Sequence, residues 1–129
     1  MPDNDEIAGF HAHVYWTNPE ERERAAEIRE EVQARFKVTM GSWVDRPVGP
    51  HPRHSYQIAF RNEEFGKIIP WLMLNRRDLV IFVHPITDDA YLDHRDHPLW
   101  LGEKLTLDLS SLPRKYTDNQ AGEIPKDRN

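Results

Sequence analysis

The chain contains no cysteine. Disulfides, cysteine-based zinc sites, iron–sulfur clusters and thiol nucleophiles are therefore excluded. No run approaches the roughly 18 apolar residues of a membrane span. The start, MPDNDEIAGF, lacks the basic region and apolar stretch of a secretory signal. Lys and Arg form no cluster, and 17 of them stand against 22 Asp and Glu, a net charge of −5. That sign suits neither phosphate backbones nor nucleic acid, so neither nucleic acid nor membrane is an expected partner. Glycine is scarce, at 6 of 129 residues, which with 10 prolines rules out collagen-like and low-complexity classes. The expectation is a soluble, cytoplasmic, single-domain protein spanning residues 9–112, with loosely ordered tails at 1–8 and 113–129. Against these absences stands one abundance: seven histidines, grouped rather than scattered.

Hydrophobic periodicity supplies the elements. Over Gly9–Trp16, Phe10, Ala12 and Val14 alternate with His11, His13 and Tyr15, so a strand carries the two triplets on opposite faces. Asn18 and Pro19 form a helix start, and Ala25, Ile28, Val32 and Phe36 recur at helical spacing. Val38–Val44 and His54–Phe60 read as two strands around a proline-rich loop, DRPVGPHPR. A second helix begins near Asn62, with a kink or restart expected at Pro70. Leu79–His84 is apolar on both faces and reads as a well-covered strand. A long connection, Pro85–Lys104, precedes a final alternating run, LTLDL. The order β-α-β-β-α-β predicts an α+β, ferredoxin-like antiparallel sheet with both helices on one face and a long loop before a last strand. The other face needs cover from a second subunit, making a homodimer, or from the loop; otherwise it serves as a pocket.

The histidines acquire meaning from that topology. If Phe10, Ala12 and Val14 meet the helices, His11 and His13 point to the open face. First and fourth strands are neighbours in this fold, which brings His84 beside His11. Three imidazoles more than seventy positions apart in part would then converge. Without thiols, such a set suits Fe(II), Zn, Ni or Cu, and open coordination positions make a site catalytic. His54 is expected one row along the same face. His54 and His94 are the candidate general bases, since an ordinary imidazole titrates near about 6.5. Asp89, Asp93 or Asp96 could complete the ligand set with a carboxylate. Tyr15, Tyr56, His51, His97 and Trp100 are candidates to hold a flat substrate. Exposed or hydrogen-bonded structural histidines are the alternative.

Three blocks, FHAHVYW (Phe10–Trp16), PHPRHSYQIAF (Pro50–Phe60) and VHPITDDAYLDHRDHPLWLG (Val83–Gly102), resemble the signature segments of the DOPA 4,5-dioxygenase family. The resemblance covers most of Gly9–Leu109. It implies a ferredoxin-like, dimeric fold. It also implies extradiol opening of a catechol such as DOPA by non-haem Fe(II) and O₂, with Zn or Ni as substitutes. By the strand geometry above, the metal would sit on His11, His13 and His84. A metal-dependent enzyme of other chemistry, and a non-catalytic dimeric ligand-binding module, remain the alternatives, because fold alone does not fix chemistry.

Overall fold

In the computed structural model, residues 1–115 are described; the final part of the expected tail, 116–129, lies outside the described residues. The elements are β1 (Gly9–Trp16), α1 (Pro19–Arg35), β2 (Thr39–Met40), β3 (His54–Phe60), α2 (Asn62–Asn75), β4 (Ile81–Ile86), α3 (Ala90–Arg95) and β5 (Leu99–Leu101). Ahead of them Asn4–Glu6 makes a 3-10 turn, and the Ala8 N–H donates to the Ile86 carbonyl at 2.8 Å. The strands form one antiparallel sheet in the order β2-β3-β1-β4-β5. This is the expected ferredoxin-like α+β arrangement, extended by β5 beyond β4.

Helix α1 starts where its sequence says it should. The Asn18 side chain accepts from the Glu21 N–H at 2.8 Å, and Glu21 in turn accepts from the Thr17 N–H at 2.7 Å. Its Ala25, Ile28 and Val32 join Ala12, Val14 and Trp16 of β1, Tyr56, Ile58 and Phe60 of β3, and Ile68, Ile69 and Leu72 of α2 in the main core. The even-numbered residues of β1 and β3 thus face the helices, and the odd-numbered ones face away.

Several expected details differ. Pro70 neither kinks nor restarts α2, which runs unbroken. The proline is exposed and Gly66, whose carbonyl loses its N–H partner, has open space beside it, so water can serve that carbonyl. The second strand shrinks to Thr39–Met40 plus an isolated bridge between Val44 and Ser55. The fourth strand begins two residues later than expected, at Ile81. The long connection holds a helix, α3, and the last strand is Leu99–Leu101 rather than LTLDL.

The LTLDL segment instead crosses the open face as a strap. Leu105 and Leu107, with Trp100, pack on Tyr15, Val80 and Phe82. The Asp108 N–H donates to the Pro50 carbonyl at 3.0 Å, and Ala90 N–H donates to the Arg114 carbonyl at 3.1 Å. Arg114 Nε also pairs with Asp89, at 2.9 Å from Oδ2. Much of the second sheet face is therefore covered by the chain itself, and the need for cover no longer argues for a second subunit.

Candidate metal centre

Register brings the imidazoles together. His11 of β1 lies directly opposite His84 of β4, and His13 lies opposite Phe82. His11 and His13, two apart on a strand, share a face. All three rings are buried, and one nitrogen from each lies within 4.8 Å of the others. His13 Nε2 and His84 Nε2 are 3.3 Å apart. A carbonyl can only accept, so the 2.9 Å contact between His84 Nδ1 and the Pro85 carbonyl puts the proton on Nδ1 and leaves Nε2 with its lone pair. His11 Nε2 is buried with no hydrogen-bond partner.

Electrostatics keep this group uncharged. Burial, then His94 and His51, push His11 down to about 3. Burial likewise holds His13 and His84 well below the ordinary imidazole value, with the neighbouring histidines adding to it. Neutral imidazoles converging on one point, one of them with an unpartnered nitrogen, match what a cation requires of nitrogen ligands. The residues fit: these three buried histidines can hold a metal ion.

Among the described residues no carboxylate joins them. Each of the three candidates is committed elsewhere. Asp93 accepts from Thr87 N–H at 2.8 Å and from its hydroxyl at 2.7 Å. Asp89 caps α3 and pairs with Arg114, and Asp96 pairs with Arg95.

A cavity of about 90 Å³ adjoins the cluster, lined by His11, His13, His84, His51, His94 and Gln57, with Pro50 and Leu112 closing it. His51 comes from the proline-rich loop, where Gly49 supplies a φ of 62° and the His51 N–H donates back to Val48 at 3.2 Å. Its ring lies 4.2 Å from that of His13, and its Nδ1 is 2.7 Å from the Tyr15 hydroxyl. Burial, with His94, takes His51 down to about 4. His94 sits on α3 with its ring 4.0 Å from that of His84. Its Nδ1 donates to the Ala90 carbonyl at 2.7 Å, and burial lowers its affinity for a second proton.

Wider clefts flank the cavity on both sides. One of about 290 Å³ lies beside His13 and His51, bordered by Ser42 and Gln57. The other, about 240 Å³, lies beside His94, with Trp100, Arg95 and Lys104 on its walls. Trp100 packs on Phe82 at 4.6 Å and on Tyr15 at 6.4 Å.

Not every expected residue is here. His54 is paired with Trp16 and Tyr56 with Val14, so both side chains turn to the helix layer. The His54 ring packs edge-on to Trp16 at 5.9 Å, and the Tyr56 hydroxyl donates to the Ala25 carbonyl of α1 at 2.6 Å. Tyr56 borders the His51-side cleft, but its hydroxyl does not face it. His97 is exposed and is not among the residues lining the cluster cavity; it lines another groove, with Ile7, Phe10 and Leu99, that also borders His84. Gln57, which the sequence reading passed over, stands opposite His13 in the β1–β3 ladder. A register built on the apolar set Tyr56, Ile58 and Phe60 would have found it.

Comparison with known proteins gives this geometry a family. The Dopa 4,5-dioxygenase family matches residues 10–111, most of the chain and all of the cluster. This chain belongs to that family. A DOPA 4,5-dioxygenase from Amanita muscaria is 34% identical over 125 residues, 87% of this chain and 53% of the relative. An uncharacterized 21.2 kDa protein from Botryotinia fuckeliana is 35% identical over 116 residues, 81% of this chain and 63% of the relative. The chain thus spans little more than half to under two thirds of these curated relatives. A crystal structure of a candidate dioxygenase from Nostoc punctiforme superimposes with a TM-score of 0.82 at 52% identity, covering 84% of this chain and 94% of that one. Its fold is that of a solved relative. Among the described residues no helix is long and apolar enough to cross a membrane.

Proposed function

We propose that the protein is a non-haem Fe(II) extradiol dioxygenase that opens the ring of a small catechol such as DOPA, using O₂. The observation that carries the reading is the cluster itself. Three neutral, buried imidazoles from two adjacent strands meet at a cavity with two further histidines on its walls, in a chain of the Dopa 4,5-dioxygenase family. Bound by His11, His13 and His84, Fe(II) supplies Lewis acidity toward the diol oxygens and an electron path to dioxygen. Zinc or nickel suits the same donors as a substitute.

The chain's own residues do the rest. The His94 Nε2 lone pair, fixed by the Nδ1–H bond to Ala90, can accept the proton of a diol hydroxyl. The 90 Å³ cavity is smaller than the roughly 150 Å³ that encloses a benzene. A diol ring therefore reaches into one of the flanking clefts, where Trp100 on the His94 side offers a flat apolar wall. Leu112 and the strap limit water at the cavity.

The test is anaerobic loading with Fe(II) or Zn(II), then addition of DOPA or another catechol in air. The reading requires a yellow ring-opened product and one O₂ consumed per diol with iron, and neither with zinc. Turnover with zinc and no oxygen uptake would replace it with another metal-dependent chemistry. No stoichiometric metal binding would leave a ligand-binding module.

A further inference from the structure

The wall histidines differ in one respect that bears on how a ligand is held. His94 has its Nδ1 proton committed to the Ala90 carbonyl, so the atom it has left is a lone pair. His51 is tied through Nδ1 as well, but to a hydroxyl, which can either give or receive. The surroundings of Tyr15 decide the direction. The residue is 1% exposed, and its hydroxyl makes no other hydrogen bond among the described residues. If His51 Nδ1 donated, the phenolic proton would be left buried without an acceptor, a cost the other arrangement avoids. If Tyr15 donates, every buried proton at this contact is used. Neutral His51 then carries its own proton on Nε2.

We propose that Tyr15 is a positioning residue: its hydroxyl donates to His51 Nδ1, holds the ring in the Nε2–H form, and so gives the cavity lining an N–H donor at His51 in addition to the lone pair at His94. The lining then offers one donor and one acceptor, which suits a ligand that brings both a proton and a bare oxygen. A singly ionised diol has that pattern, and to this extent the inference rests on the function proposed above. Tyr15 itself does not line the cluster cavity; it acts through His51, which does.

The experiment is long-range ¹H–¹⁵N NMR of the histidine rings in the full chain loaded with diamagnetic zinc, with His51 signals assigned by their loss in His51→Gln. The wild type is expected to show His51 protonated at Nε2 alone. Tyr15→Phe keeps the ring and removes the hydroxyl; it is expected to shift His51 to a mixed or Nδ1–H form with zinc content unchanged. Its affinity for 4-nitrocatechol should fall by about tenfold, the size of one hydrogen bond. An Nδ1–H signal in the wild type, or an unaltered His51 pattern in Tyr15→Phe, overturns the proposal. Should Tyr15→Phe not fold, the wild-type spectrum decides alone. If 4-nitrocatechol fails to bind the wild type, the diol reading falls, while the ring signals still decide the role of Tyr15.

Discussion

Tyr56→Phe separates the two faces of the sheet in a single substitution. The sequence allows Tyr56 to stack a substrate, whereas the structure turns its hydroxyl to the Ala25 carbonyl at 2.6 Å, on the helix side. The change removes one buried, neutral hydrogen bond. The Ala25 carbonyl lies mid-helix in α1 and keeps its own i+4 N–H partner from Arg29, so no acceptor is orphaned. The aromatic ring stays, with the Arg29 guanidinium still 4.9 Å from its centre. What remains is the net value of one hydrogen bond, about 1 kcal/mol. For a chain of this size that lowers the melting temperature by roughly 3–5 °C. Urea unfolding of the metal-free protein measures the free energy, and zinc content and 4-nitrocatechol affinity measure the site. Both site measures should match the wild type. Unchanged stability with weakened catechol binding would refute the assignment of Tyr56 to the helix layer.

Three further outcomes follow from the same geometry. His11→Leu removes a buried nitrogen that has no partner, so the metal-free protein should gain about 1 kcal/mol in urea unfolding while losing metal stoichiometry; a loss of stability would contradict the reading. Folding lowers His11 to about 3 and His51 to about 4 from an ordinary 6.5, so in that window the unfolded chain binds more protons than the native one. Metal-free stability should therefore fall as pH drops from about 6.5 toward 3 and stay level in this respect above it, less steeply in His11→Leu; a flat acid limb would be the contrary result. Arg114→Ala unties the strap from Asp89. Because the arginine of that pair is exposed, global stability should change by under about 1 kcal/mol, whereas amide exchange at Ala90 and across residues 103–112 should quicken.

Much of this molecule can be read from its residues, and the exceptions share a cause. The Asn18–Pro19 cap and the β1 alternation are local signals, and both appear as written. The meeting of His11, His13 and His84 followed from topology, because neighbouring strands in this fold order must bring those positions close. His54 was misjudged because its face depends on register with β1, although Tyr56, Ile58 and Phe60 on its own side already marked that side as apolar. LTLDL alternates because one side is buried, but burial against a face does not require a hydrogen-bonded ladder. The contact between Tyr15 and His51, 36 positions apart, depends on a loop path that no periodicity encodes.

The donors and the walls of this site have different mechanical origins. His11 and His13 stand on the central strand, and His84 on the strand beside it, cross-bonded at facing positions. Their spacing is as stiff as the middle of the sheet and cannot relax without unzipping it. His51, His94 and Leu112 come instead from a loop, a six-residue helix and a strap. Substitutions in those three segments can reshape what the site admits while leaving the chelating triangle untouched, so one anvil can serve many workpieces.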